Sequence, residues 1–427
     1  MAPVLLHARP KKTKRGSGPE TRKREKNHSQ FLICFSRICS SGNDNRSNPN
    51  TFLFLYCLNQ PFLRKGIIAF KNCSVRAYLY IFNTEKVQTG KTPYTNLTLH
   101  CTSGDNPLVD TQQISAAAQI IKNGGLVAFP TETVYGLGAD AFNQESVAKI
   151  FEVKKRPRFD PLIVHIDSEQ WLEKLTLPPP PKAVELIQAF WPGPLTVVLP
   201  KRLIIGDIVT SGLSGVAVRM PSNLIALSLI KAAGVPLAAP SANLFGSVSP
   251  TQASHVEEQL GGGTEMILDG GPCSVGIEST VLSFMDEVPV LLRAGGVELE
   301  EIQRLIGEVR VALPDEMISN SPGRCDRHYS PGTPLVLIKN TDMISGEKRS
   351  GVISLFPVDK KDVPGSVAAT ETLSGSGDLR EAACNLFAAM RKLDTLGLEV
   401  IYALPIPTEG LGLAINDRLS RASAKRE

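Results

Sequence analysis

Four cations crowd into five residues at Lys154-Lys155-Arg156-Pro157-Arg158, where a predicted helix runs into a proline. Cations at a helix C-terminus complement its dipole, so a purely structural role is open. The same set suits a phosphate clamp, because lysine supplies a point charge and arginine a planar fork. Other polar or glycine-rich segments follow predicted strands. Residues 129–138 place the hydroxyl of Thr131 near Gly136 and Gly138. Donors and open backbone serve a ligand site, and they serve an ordinary turn equally well. Arg219 ends a strand before Pro221, where it could meet a carboxylate or stay a surface cation. Ser241-Ala242-Asn243 follows another strand, and Ser249-Pro250-Thr251 reads as the cap of the next helix. Residues 270–280 end in Ser279 and Thr280 and can present backbone N–H groups to an anion. Arg293 precedes Ala294-Gly295-Gly296. Strand ends of this kind are where open α/β sheets bind ligands.

The common nucleotide loops are missing. There is no G-x-x-x-x-G-K-[ST] segment and no G-x-G-x-x-G fingerprint. His165 sits on an apolar strand without a second His or Cys at ligand spacing, so a zinc site is not expected. No Ser-His-Asp triad can be picked out. The residues alone suggest a phosphate-binding α/β enzyme and leave its reaction open. The competing reading is an RNA-binding protein whose basic cluster contacts phosphates.

The elements that must position these groups alternate regularly. Asp110 and Gln113 form a capping box for a helix with Ile114, Ala117, Ile120 and Ile121 on one face. A buried strand over residues 126–129 follows. Helices over 145–154, 182–190, 223–233 and 251–260 then alternate with strands over 162–166, 195–199, 216–219 and 236–239. Further strands lie near Met266, Thr280 and Val290. Residues 314–334 are a Pro, Gly, Ser and Asn-rich linker. A smaller unit carries strands over 335–338, 352–356 and 400–403 and helices over 378–393 and 414–424. Helices alternating with strands predict an α/β fold.

The 427 residues and the net charge of +4 divide unevenly. Residues 1–106 hold 17 Lys+Arg against 5 Asp+Glu, a net of +12, and the rest hold 29 against 37, a net of −8. The basic leader contains five of the eight cysteines and no sustained period, and reads as a disordered extension. Few cysteines in the body favour a reducing compartment. The expected location is cytoplasmic, with an organellar address in the leader open. No apolar run approaches the roughly 20 residues of a membrane span.

Taken together, residues 129–138, 154–165, 216–221, 240–243, 276–281 and 292–295 resemble the YrdC-like domain of threonylcarbamoyl-AMP synthases. The resemblance covers residues 107–311. The linker segment from Ser321-Pro322-Gly323 to His328-Tyr329-Ser330-Pro331 resembles that of the two-domain form. Segments around Asn385-Leu386-Phe387 and Asp417-Arg418-Leu419 are similar to its C-terminal domain. The implied fold is a YrdC-like twisted mixed-sheet domain (107–313), a linker or lid (314–334) and a smaller Rossmann-like α/β domain (335–427). The implied reaction joins L-threonine, bicarbonate or CO2, and ATP with Mg²⁺ into threonylcarbamoyl-AMP, releasing pyrophosphate. That nucleotidyltransfer supplies a downstream transferase that makes threonylcarbamoyladenosine in tRNA. By resemblance, Thr131 and Arg219 hold threonine, with His165 and Ser279 or Thr280 completing its pocket. Lys154 and Arg156 are catalytic and, with Arg158, face the ATP phosphates. Ser241, Asn243, Thr251 and Arg293 line the nucleotide, and Tyr329 closes over it. No resident protein-bound metal is implied. Lys155 departs from the family, which commonly has glycine there. A carbamoyltransferase of the same fold is a further alternative.

Overall fold

The computed structural model describes residues 110–312 and 328–424. It also describes three two-residue strands before them, β1 (Gly66–Ile67), β2 (Tyr78–Leu79) and β3 (Leu99–His100), paired antiparallel in sequence. The disorder expected of residues 1–106 otherwise lies outside the described residues, as does most of the linker. The chain divides into two units, Met1–Asn106 and Pro107–Glu427.

The second unit opens on the helix Thr111–Lys122. The carboxylate of Asp110 accepts the Gln113 N–H at 2.8 Å, and the Gln113 side chain accepts the Asp110 N–H at 3.3 Å. A ten-stranded mixed sheet follows. Its strands are β4 (Val127–Phe129), β5 (Gly136–Asp140), β6 (Ile163–His165), β7 (Leu195–Pro200), β8 (Gly215–Arg219), β9 (Leu237–Ala238), β10 (Met266–Ile267), β11 (Thr280–Ser283), β12 (Val290–Arg293) and β13 (Arg310–Val311). Their order across the sheet is β10-β4-β5-β9-β6-β8-β7-β11-β12-β13. β6 and β8 run parallel with His165 paired to Arg219, so both side chains leave the sheet at neighbouring C-terminal ends.

β5 falls where the sequence leaves a ligand loop and an ordinary turn equally open for Gly136 to Gly138. The glycines permit a strand to pass beneath an aromatic ring. A Cβ on Gly138 would stand 2.7 Å from Cε1 of Phe129, the β4 residue paired across to Gly136. Further elements go beyond the sequence expectation, among them the helices Glu169–Leu175 and Leu299–Ile306, the helical turn Asp207–Thr210, strand β13 and strand β16 below.

The smaller domain is a four-stranded parallel sheet of β14 (Leu335–Leu337), β15 (Ser350–Ser354), β16 (Val367–Thr372) and β17 (Val400–Ala403), in the order β14-β17-β15-β16. β16 hides in sequence because it is an edge strand, alternately exposed and half-buried, with small and polar residues. The helices Leu379–Asp394 and Gly412–Ala422 pack on the sheet. Their buried Leu386, Phe387, Met390 and Leu419 form one core with Val134, Val248, Ile277 and Tyr329. The smaller domain is therefore packed into the larger one. Gly276, at φ +77°, lies so close to the first of these helices that a Cβ would stand 2.3 Å from the Cα of Cys384.

Candidate active site

A cleft of about 530 Å³ opens at the ends of β6 and β8. It brings together Thr131, Arg156, His165, Arg219, Ser241, Ser279, Arg293 and Tyr329. A larger hollow of about 800 Å³, walled by Ser214, Met285 and Arg310 among others, contains none of these residues.

The turn after β4 is tied by its own hydroxyl. Thr131 Oγ1 donates to the carbonyl of Val134 at 2.6 Å and accepts the N–H groups of Thr133 and Val134. That turn aims Thr133 Oγ1 at Arg219 Nη1, 2.9 Å away. Arg219 Nη2 also pairs with Glu132 at 2.8 Å, and its Nε donates to the carbonyl of Gly193. His165 lies edge-on to Phe129. Burial, reinforced by the Arg219 charge, lowers its pKa to about 3, so the imidazole is neutral at ordinary pH.

The basic cluster divides by direction. Lys154 is 1% exposed, and its Nζ donates to the carbonyls of Ser241 and Asn243, both at 2.5 Å. Burial, and then the neighbouring Arg156, hold its pKa well below the ordinary lysine value. Arg156 lines the cleft and is held by Asp160 at 2.8 Å. Lys155 and Arg158 point outward. Lys155 terminates the helix Gln144–Lys154 in the left-handed conformation, φ 51°, which explains why glycine suits that place.

Other expected residues serve the frame. Thr280 turns away from the cleft, its Oγ1 donating to the carbonyl of Val297 at 2.6 Å. Thr251 is buried, its carbonyl accepting from Cys273. Asn243 donates to the carbonyls of Leu244 and Ser247. Neither lines the cleft. Ser249 does not cap a helix; its hydroxyl donates to Glu278 Oε1 at 2.5 Å. Arg293, half-buried, donates to the carbonyl and hydroxyl of Ser279, both at 3.1 Å, and burial lowers its pKa.

Glu132, Glu278, His328 and Arg418 take part without a role assigned from sequence. All four lie inside segments already singled out, the first two for other residues and the last two as parts of the linker and C-terminal resemblance. His328 and Tyr329 close one side of the cleft. The Tyr329 ring stacks on Phe387 at 5.5 Å and meets His328 at 4.0 Å. Burial, then the Glu278 charge, raises the Tyr329 pKa to about 12, and burial among Arg156, Lys154 and Arg293 holds His328 neutral. Arg418 Nε reaches Glu278 Oε2 at 3.1 Å from the C-terminal helix. Its signal was a lone arginine on the apolar face of Ala414, Ile415, Leu419 and Ala422.

Charge pairing sorts the cations. Glu132, Asp160 and Glu278 are matched by Arg219, Arg156 and Arg418. Lys154 and Arg293 instead direct their hydrogen bonds to neutral oxygens, with the charges of Asp160 and Glu278 respectively nearby. Half-buried Arg293, held on the oxygens of Ser279, lines the cleft and offers positive charge to an anionic ligand, while Lys154 stands behind the wall on the carbonyls of Ser241 and Asn243.

The family model described as "Telomere recombination" (Sua5/YciO/YrdC) matches residues 119–295, and one described as "Threonylcarbamoyl-AMP synthase, C-terminal domain" matches 297–424. The threonylcarbamoyl-AMP synthase of Pyrococcus abyssi is 44% identical over 74% of this chain and 96% of its own length. The chain belongs to the threonylcarbamoyl-AMP synthase family. The Bacillus subtilis member is 43% identical over 74% of this chain and 94% of its own length. The crystal structure of P. abyssi Sua5 complexed with L-threonine superimposes with a TM-score of 0.69 at 42% identity, covering 74% of this chain and 95% of that one.

Proposed function

We propose that the chain joins L-threonine, bicarbonate or CO2, and ATP into threonylcarbamoyl-AMP with release of pyrophosphate, a nucleotidyltransfer. The product serves a downstream transferase in threonylcarbamoyladenosine formation on tRNA. The observation that carries this reading is the 44% identity across 96% of the length of a protein named for that product. The relative solved with L-threonine adds the substrate.

The cleft suits the chemistry at both ends. At one end Arg219, with the Thr131–Thr133 turn, offers a cation and hydroxyls for the carboxylate of threonine. Its pairing with Glu132 fixes its orientation before the ligand arrives. Neutral His165 can accept or donate a hydrogen bond without attracting a second anion. At the other end Arg156, Arg293 and the Lys154-bound Ser241 loop face the phosphates. The threonine amine adds to CO2 and loses a proton, giving a carbamate. A carbamate oxygen attacks the α-phosphorus of ATP, and the bond to the leaving pyrophosphate breaks. Two anions must approach one another, so fixed cations lower the barrier. Tyr329 and His328, stacked over the cleft, shield the water-labile product.

Among the described residues no group of three or more His, Cys, Asp or Glu is arranged to hold a metal ion. Mg²⁺ is accordingly proposed as a companion of the ATP substrate, and no step is routed through it. The burial of Lys154 and Arg156 leaves only Lys155 and Arg158 of the cluster for a surface RNA contact. Among the described residues no helix is long and apolar enough to cross a membrane. The unpaired thiols of Cys273 and Cys384 suit a reducing compartment such as the cytoplasm.

The test is mass spectrometry of the product from labelled bicarbonate, L-threonine and ATP, which should carry one labelled carbon. Lys154→Ala should reduce threonine-dependent pyrophosphate release at least about 100-fold. Retention of full activity by that variant would sink the assignment of Lys154.

A further inference from the structure

The third ion pair of the cleft is built unlike the other two. Glu132 and Asp160 take their arginines from their own domain. Glu278 takes Arg418 from the last helix of the C-terminal domain, 140 residues further along the chain. Arg418 is 0% exposed on the apolar face of that helix. Burying a guanidinium is unfavourable unless it is paired, and beyond Ala414 and Asp417 of its own helix its contacts run to the catalytic domain and the linker. Its Nη1 donates to the carbonyl of Ala294 at 2.6 Å, the residue after Arg293, and also meets Asp417 at 3.1 Å. Its guanidinium stands 5.3 Å from the centre of the Tyr329 ring. Glu278 and Tyr329 both line the cleft. One side chain thus ties together three parts of the wall, and it comes from a domain that contributes no other charged group to Glu278 among the described contacts.

The consequence is electrostatic. A cleft for a polyanion cannot present an unpaired carboxylate without repelling it. The hydroxyl of Ser249 satisfies one oxygen of Glu278 but adds no positive charge, and Arg293 acts on Glu278 through its charge while its hydrogen bonds go to Ser279, so Arg418 supplies the direct ion pair. We propose that Arg418 is a positioning residue by which the C-terminal domain neutralises Glu278, so that the cleft admits ATP. This rests on the function proposed above. It gives the C-terminal domain a part in substrate binding, since a catalytic domain without Arg418 would expose the Glu278 charge to the phosphates.

The experiment is a charge cycle on the full chain, with KM for ATP and for L-threonine measured separately by pyrophosphate release. Arg418→Met should raise the ATP KM about tenfold or more and change the threonine KM less than about threefold. Adding Glu278→Gln to that variant should return the ATP KM to within about threefold of the natural enzyme. A merely structural role predicts the reverse, a double variant no better than the single one, and that outcome overturns the proposal. Arg418→Lys keeps the charge and loses the planar fork, and should bind ATP far better than Arg418→Met. If Arg418→Met does not fold, as judged by circular dichroism, Glu278→Gln alone decides. It removes only the negative charge and should lower the ATP KM; an unchanged or raised value refutes the inference. A natural enzyme that makes no threonylcarbamoyl-AMP overturns the functional reading instead. An active natural enzyme whose Arg418→Met variant keeps its ATP KM overturns this inference alone.

Discussion

Lys154 and Lys155 are neighbours with opposite environments. Lys154 is buried on two backbone carbonyls, while Lys155 is exposed and left-handed at φ 51°. A non-glycine residue pays roughly 1–2 kcal/mol for that conformation, partly offset because glycine is freer in the unfolded chain. Lys155→Gly should therefore raise the unfolding free energy by about 0.5 kcal/mol with activity kept, as measured by urea denaturation and pyrophosphate release. Destabilisation by that change would mean that the Lys155 side chain makes a contact of value. The sequence reading found the cluster because charge density is local. It could not find direction, because the left-handed residue and Pro157 turn Arg158 away from Arg156. Thr280 was misplaced for a related reason. Thr280 opens β11 and donates its hydroxyl proton to the carbonyl of Val297, while Ser279, just before the strand, is the one that lines the cleft. Glu132 and Glu278 escaped notice because a carboxylate in an anion site makes sense only once its arginine is seen, at Arg219 for Glu132 and 140 positions away at Arg418 for Glu278.

At the scale of elements, glycine carried two meanings that composition could not separate. Gly136 and Gly138 left a ligand loop and a turn equally open, yet they form β5 because the Phe129 ring covers them. Gly138→Ala should push that ring away and cost roughly 1–3 kcal/mol, with loss of activity following, because the ring also packs against His165. Gly276 marks a different constraint. It combines φ +77° with a backbone neighbour from the helix Leu379–Asp394. A Cβ there would collide with main chain, which cannot rotate aside. Gly276→Ala should loosen the C-terminal domain, read as faster proteolysis after residue 328 and a stability loss of about 3 kcal/mol. Gly365→Ala, where nothing lies within 4 Å, is the control and should be near neutral. Resistance of Gly276→Ala equal to that of the control would show that the two domains are not held through this contact. Most helices and central strands were legible because their apolar periods and caps agree, as with Asp110 and Gln113. Edge strand β16 was not, since an edge needs no apolar alternation.

In the second unit the imidazoles of His165 and His328 are buried, with cations rather than carboxylates acting on them. Burial and the Arg219 charge lower His165 to about 3, and burial with the surrounding cations holds His328 well below its usual range. In the unfolded chain both groups take up a proton as the pH falls through about 6.5. The folded His165 does so only near 3, so between these values the unfolded state binds more protons. Lowering the pH through that window must therefore destabilise the fold, by up to about 1.4 kcal/mol per pH unit for each such histidine. Above about 6.5 neither group protonates in either state, and the effect vanishes. For His165 alone the loss between pH 7 and pH 5 comes to about 2 kcal/mol, with His328 adding in the same direction. Urea denaturation at pH 7, 6 and 5 measures it, above the range where ordinary carboxylates begin to titrate. His165→Gln should flatten the pH dependence by about 2 kcal/mol while abolishing little of the secondary structure seen by circular dichroism. A variant as acid-sensitive as the natural chain would show that His165 is protonated in the folded state. The neutral hydrogen-bonding role given to it in the cleft would then fail as well. The same burial that makes the cleft selective for anions thus makes the fold acid-labile, because each cation that can be left unpaired near the phosphates raises the cost of adding a proton beside it.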